Sequence, residues 1–254
     1  MAITIKSERE IELMAEAGKI LERVHNELEK ALHPGMSTKD IDTLGEEIIR
    51  SYGCIPSFLN YNGYPASICV SVNQEVVHGI PDKHRIIHEG DIVSLDAGVI
   101  YKGYHSDAAR THAVGEVSEE AKKLIQVTKE CFFEGIKYAK AGNHLFDISG
   151  AIGRYAEERG YGVVRDLCGH GIGTALHEAP EIPNYEVGRK GVKLRPGMTL
   201  AIEPMINIGT YEVAWLDDDW TVVTRDGSLS AHYENTILIT EGEPRILSLT
   251  CDNE

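Results

Sequence analysis

The first long apolar pattern has helical spacing. Ile11, Met14, Leu21, Val24 and Leu28 follow Ser7-Glu8-Arg9-Glu10, where Ser and Glu stand at capping-box spacing, and the run stops at His33-Pro34-Gly35. A second helix is predicted from Ser37 or Thr38 to Gly53. Residues 54–66 (CIPSFLNYNGYPA) are aromatic and turn-rich, and Ser67-Val72 reads as a strand. Two apolar runs, Ile92-Val99 and Tyr104-Val114, read as the arms of a β-hairpin joined by Ile100-Tyr101-Lys102-Gly103. Ser118 caps a helix predicted to reach Gly142, and another spans about Leu145 to Gly160. From Val163 to Leu249 the chain is mostly short strands and glycine- or aspartate-rich turns.

Two helices then strands, followed by two helices then strands, is the order expected of a duplication. His78-Gly79-Ile80 is echoed by His170-Gly171-Ile172. Glu89-Gly90-Asp91-Ile92-Val93-Ser94-Leu95-Asp96-Ala97 is echoed by Arg195-Pro196-Gly197-Met198-Thr199-Leu200-Ala201-Ile202-Glu203-Pro204. In both halves an acid stands six residues after the glycine, at the end of a strand-like run. The expectation is a pseudo-twofold α+β fold in one domain, 1–254, with halves of about 1–115 and 116–254 and the two acids meeting at the centre.

The hairpin carries an electrostatic conflict. With Tyr101 and Lys102 as the central pair, Asp96 lies directly opposite Asp107 on one face. Cross-strand neighbours have Cβ atoms roughly 4.5–5.5 Å apart, and like charges there destabilise the pair. Either the two carboxylates are solvated on an exposed face, or a cation, most naturally a divalent metal ion, occupies the gap. The second half adds His170 in Cys168-Gly-His-Gly-Ile-Gly, Glu203 in Ala-Ile-Glu-Pro-Met and Glu234 in Ser-Ala-His-Tyr-Glu-Asn-Thr. Taken singly, each acid reads as an ordinary strand-end charge. Jointly, one imidazole and four carboxylates suit two divalent ions, with the nitrogen donor favouring Mn, Fe, Co or Zn over Mg and Ca. Such a paired site lowers the pKa of water toward neutrality, which is hydrolytic chemistry. His25, His33, His84, His88 and His144 read as solvated or structural, while His105 shares the face of Asp107 and is a candidate for supporting it from outside.

Composition narrows the class. At 254 residues, with 42% hydrophobic and 26% charged residues, the chain is an ordinary globule that can bury a full core. A formal net charge of -15 argues against a nucleic-acid binder. The five cysteines, Cys54, Cys69, Cys131, Cys168 and Cys251, are odd in number and form no C-x-x-C pair, so a reducing compartment is expected. No apolar run approaches the roughly 18 residues of a membrane helix, and the first residues lack a signal-peptide core, so the expected location is the cytoplasm, with no membrane partner.

NYNGYPASICVSVNQEVVHGIP, SLDAGVIYKGYHSDAAR, CGHGIGTALHEAP, RPGMTLAIEPMI and SLSAHYENTILIT together resemble the type I methionine aminopeptidases, over about Ile5 to Leu247. The resemblance implies the duplicated pita-bread α+β fold and a dinuclear site. Asp107 and Glu234 would bridge two divalent ions (Co, Mn, Fe or Zn), with Asp96 on one and His170 and Glu203 on the other. His78 matches the histidine placed near the departing residue's amine and the scissile bond, and His177 the one placed on the peptide carbonyl oxygen. Glu203 matches the group that carries a proton from water to the leaving amine. Phe58, Tyr61, Tyr64, Cys69, Leu176 and Trp220 fall where the family lines its methionine pocket. Some relatives have cysteine at Phe58, histidine at Asn62 and an aromatic at Leu176, differences that bear on pocket size. A monovalent cation, Na or K, maps near Asn73, Glu75 and Ser230.

The implied partners are the N-terminal methionine of peptides and nascent polypeptides, with transient ribosome association, by a monomer that needs no nucleic acid. The spacing of 33 residues from His170 to Glu203 and 31 from Glu203 to Glu234 leaves no room for the helical insertion of the type II relatives. Prolidase and aminopeptidase P share the ligand set but usually carry a large N-terminal domain, against which stand only 77 residues before His78. A non-catalytic pita-bread module has no chemical need for five ligands and two substrate histidines.

Overall fold

The computed structural model describes residues 2–249, so Cys251 lies outside the described residues. Helix α1 (Glu8–Ala31) starts where Glu10 N–H donates to the Ser7 hydroxyl and Ser7 N–H donates to the Glu10 carboxylate. Helix α2 (Thr38–Ser51) repeats the device with Ser37 and Asp40. Helix α3 (Glu119–Ile136) is capped by Ser118 and ends well short of the expected Gly142. Tight turns take the Gly135 and Ile136 carbonyls, the Asn143 amide takes that of Tyr138, and Ala141 N–H is drawn to Thr240 O at 3.3 Å. Those competing partners end the helix. Helix α4 runs over Leu145–Glu157.

The strand Ile92–Tyr101 pairs along its full length with Tyr104–Ala113, and Ile68–Val72 and Ile55–Pro56 pair with its other edge. A five-stranded sheet has the order Arg245–Ile246, Asn235–Leu238, Thr199–Ile202, Gly169–Gly171, Glu178–Ile182. The two sheets are joined where Glu234 N–H donates to Ala109 O at 3.0 Å and Asp107 N–H donates to Thr236 Oγ1 at 2.9 Å. Apolar faces of α1 and α2 pack on the first sheet around Leu21, Ile49, Val70 and Leu95. Those of α3 and α4 pack on the second around Phe132, Ile148, Leu200 and Ile237. Each helix pair thus hides the back of one sheet and leaves the seam between them for side chains of both.

The hairpin register differs from expectation by two residues. Tyr101 pairs with Tyr104, Asp96 with Ala109, and Gly98 with Asp107. Lys102 and Gly103 both have positive φ, 48° and 88°, as a two-residue turn twisted to match its strands requires. Glycine adopts that conformation freely at the second position, so the turn is centred on Lys102-Gly103. Asp96 and Asp107 keep the same face but stand diagonally. Asp96 also lies within its strand, whereas Glu203 follows Ile202 at a true strand end, because Pro204 has no N–H to continue the ladder.

Candidate metal centre

Asp107 and Glu234 are brought together by the seam itself, since the backbone of Glu234 bonds Ala109, two residues beyond Asp107. Asp96 reaches the same place from the neighbouring strand, close enough that its charge raises the Asp107 carboxyl after burial has done so. His170 sits on Gly169–Gly171, paired on one side with Ala201 and on the other with Glu181. A Cβ on Gly169 would strike Ala201 O and one on Gly171 would strike Ala179 O, so glycine at both positions lets two strands close on the backbone around the imidazole.

His170 Nε2 stands 3.8 Å from Asp107 and 3.6 Å from Glu203. Its Nδ1 lies 2.9 Å from Gly171 O. A carbonyl only accepts, so Nδ1 carries the proton and Nε2 presents its lone pair to the carboxylates. Asp107, His170 and Glu234 place ligand atoms within 4.8 Å of one another, and so do Glu203, His232 and Glu234. Asp96 belongs to neither triad and joins through Asp107.

The electrostatics call for cations. Burial pushes the Asp96 carboxyl up to about 7. Burial, then repulsion from neighbouring carboxylates, holds Asp107, Glu203 and Glu234 well above the usual range. Among the described residues no Lys or Arg forms an ion pair with any of the four. Asp96 Oδ1, Asp107 Oδ1 and Glu234 Oε1 are buried without a hydrogen-bond partner. Burial lowers His170 to about 3, which keeps it neutral and available as a donor. An oxygen-rich set with neutral nitrogen and orphaned oxygens fits divalent ions.

A cavity of about 310 Å³ opens on this cluster. Every residue expected above as ligand, substrate histidine or pocket wall lines it: Asp96, Asp107, His170, Glu203 and Glu234, together with His78 and His177 and with Phe58, Tyr61, Tyr64, Cys69, Leu176 and Trp220. Tyr64 and Trp220 meet edge to face with centroids 5.1 Å apart. Burial and the nearby Asp96 raise the Cys69 thiol, so it serves as an uncharged wall. His177 Nδ1 lies 2.7 Å from the Tyr61 hydroxyl and its ring is 4.1 Å from that of His170. His78 has φ 60°, a left-handed conformation unusual for a non-glycine residue and of the kind found at functional sites. Burial, and then His177, lowers His78 to about 4, and burial lowers His177.

His232 went unassigned in the sequence. It is 2% exposed, its Nε2 stands 3.8 Å from Glu234 and 4.0 Å from Glu203, and neither ring nitrogen has a hydrogen-bond partner. The available signal was its position two residues before Glu234, the alternation that puts side chains on one face. Leu167 and Met205 also line the cavity without having been singled out. His105 turns its Nδ1 to Ser57 Oγ at 3.0 Å. His25 is structural, with Nε2 2.9 Å from Ala108 O. Near the expected monovalent site, Asn73 O accepts Ser230 N–H at 2.9 Å, and Arg85 stands 3.4 Å from Glu75.

The family model described as metallopeptidase family M24 matches residues 12–241. Methionine aminopeptidase of Clostridium acetobutylicum is 59% identical over 247 residues, 97% of this chain and 99% of that protein. Methionine aminopeptidase 1 of Bacillus subtilis is 51% identical over 239 residues, 94% and 96% of the two chains. The crystal structure of methionine aminopeptidase from Thermotoga maritima superposes with a TM-score of 0.95 at 48% identity, covering 97% and 99%.

Proposed function

The chain belongs to metallopeptidase family M24, and from that premise we propose how its cavity removes an N-terminal methionine. It has the pita-bread fold and is a metal-dependent aminopeptidase that takes the initiator methionine from peptides and nascent proteins whose second residue is small. The observation that carries the site reading is the single cavity in which a buried acidic cluster, two neutral histidines and an apolar aromatic slot converge.

Asp96, Asp107, His170, Glu203 and Glu234 would hold two divalent ions, with Asp107 and Glu234 placed to be shared between them. When bound, such ions (Mn, Fe, Co and Zn all suit these ligands) would supply Lewis-acid chemistry and lower the pKa of water toward neutrality. The methionine side chain enters the slot of Phe58, Tyr61, Tyr64, Cys69, Leu176 and Trp220, where a thioether packs well against rings. The Tyr61 hydroxyl lies 2.7 Å from His177 Nδ1, and with Tyr61 as donor the neutral ring would present its Nε2–H to the peptide carbonyl oxygen. His78 faces the scissile nitrogen. Glu203 takes a proton from the attacking water and gives it to the leaving amine.

Nascent substrates place the reaction in the cytoplasm, by a monomer in transient contact with the ribosome. Among the described residues no helix is long and apolar enough to cross a membrane. Metal-loaded protein should release methionine from Met-Ala-Ser and lose this on chelation. Release of Xaa from Xaa-Pro peptides, with none from Met-Ala-Ser, rejects the assignment.

A further inference from the structure

A buried ion pair outside the metal centre takes no part in these steps. The Lys6 side chain is 5% exposed, and its Nζ stands 2.6 Å from Glu178 Oε2. Thr4 Oγ1 donates to the same oxygen at 2.6 Å, Lys6 Nζ also donates to the Thr4 hydroxyl, and Ala175 N–H reaches Glu178 Oε1 at 3.4 Å. Lys6 N–H is anchored to Gly197 O at 2.8 Å, next to the strand Thr199–Ile202. Glu178 directly follows His177, and Ala175 directly precedes Leu176. Room for the pair comes from Gly173, where a Cβ would lie 2.5 Å from Lys6 Cε and collide with the Glu178 carboxylate. This accounts for the last glycine of Cys168-Gly-His-Gly-Ile-Gly.

We propose that Lys6 and Glu178 are positioning residues: their ion pair ties the N-terminal segment to loop 173–178 and so holds His177 over the substrate carbonyl and Leu176 in the methionine slot. This rests on the role given to His177 above. Glu178 keeps one place because three donors converge on it. Without Lys6 the carboxylate is left largely buried and short of its counter-charge, an arrangement that favours swinging outward to water. His177, joined to it by one peptide bond, moves with it. A misplacement of about 1 Å at a catalytic group costs on the order of 100-fold in rate. The metal ligands are held by the seam and by the strand Gly169–Gly171, so metal affinity does not depend on the pair.

The test is Lys6→Met in the metal-loaded enzyme with Met-Ala-Ser. The expected result is a kcat lower by about 10- to 100-fold, a smaller change in KM, unchanged metal affinity by calorimetry, and recovery of most of the rate in Lys6→Arg. In a His177→Ala background, Lys6→Met should lower kcat no further, because the residue it positions is gone. Wild-type kcat in Lys6→Met, or a loss that multiplies in full with that of His177→Ala, overturns the proposal. Should Lys6→Met fail to fold, Glu178→Gln keeps the size while removing the charge and turning one acceptor oxygen into a donor, and the same two outcomes decide. The wild-type rate separates the failures: an inactive wild type brings down the functional reading, whereas an active one with an indifferent Lys6 brings down this inference alone.

Discussion

Asp96 and Asp107 stand diagonally across a hairpin, one opposite Ala109 and the other opposite Gly98, and yet the charge of Asp96 still pushes the buried Asp107 carboxyl up. Two acids held this way without a cation remain together only while they retain a proton between them. The pair is therefore a liability in the metal-free protein and an asset once ions are bound.

Stability of the metal-free protein should fall as pH rises toward and through 7. The Asp96 carboxyl is raised from roughly 4, its value in an unfolded chain, to about 7 in the fold. Over that window the folded state binds more protons than the unfolded one, so this contribution is complete at low pH and lost as pH passes the folded value. Asp107, Glu203 and Glu234 are raised too and act with the same sign. The buried histidines act oppositely only below about pH 6.5, so melting curves compared from pH 6.5 to 8.5 isolate the acids. The expected outcome is a falling Tm without metal, a shallower fall in Asp96→Asn, and a gap between loaded and metal-free protein that widens with pH. A flat metal-free Tm would contradict the electrostatic account of the site.

Metal stoichiometry should distinguish the bridging from the terminal acids. On the proposed ligand assignment Glu234→Ala should lose both ions, whereas Asp96→Ala should keep one. Cleavage of Met-Ala-Ser should fall by more than about 100-fold in each, the scale of losing charge stabilisation at the reacting centre. Elemental analysis of the purified variants reads the stoichiometry directly, and a fully active Glu234→Ala without metal would sink the site model.

His177→Ala should keep its metal and turn over about 100-fold more slowly, as expected for losing one donor to a developing oxyanion. Tyr61→Phe removes only the bond that orients His177. One such bond is worth about 1 kcal/mol net, so a loss of roughly fivefold is expected. Parallel metal titrations and single-substrate kinetics check both, and a larger effect at Tyr61 than at His177 would reverse their assigned order.

His232 should support the acids it faces. In His232→Ala the Glu203 and Glu234 carboxylates lose an imidazole neighbour, and metal affinity should weaken about 10- to 100-fold. His105→Ala, whose ring nitrogen meets Ser57, is the control and should leave metal affinity unchanged. Calorimetric titration of both variants compares them, and equal affinities would remove His232 from the metal centre.

Much of this protein was legible along the chain. The capping boxes at Ser7 and Ser37, the helical rhythm of Met14 to Leu28 and the two arms around Lys102-Gly103 are local signals, governed by neighbours within a turn or two, and the helices and hairpin form as they indicate. The acids and His170 stood out only jointly, through the internal echo and the donor set they make together. Wherever a feature depended on partners distant in sequence, local pattern failed. The helix from Ser118 ends at Ile136 because Thr240 and Asn143 claim the following backbone and carbonyls. The hairpin register turned on which residue accepts positive φ, a difference of two positions that pattern alone does not resolve.

His232 became a neighbour of Glu203 only through the pairing of Ser230–His232 with Met205–Asn207. Lys6 meets Glu178 across 172 positions of chain. Sequence by itself determined which side chains were available and which faces they share, since those follow from the 3.6- and 2-residue periods of the backbone. Tertiary structure alone decided which of those faces meet, because burial of four carboxylates in one seam is a property of two sheets closing together and of no segment in either.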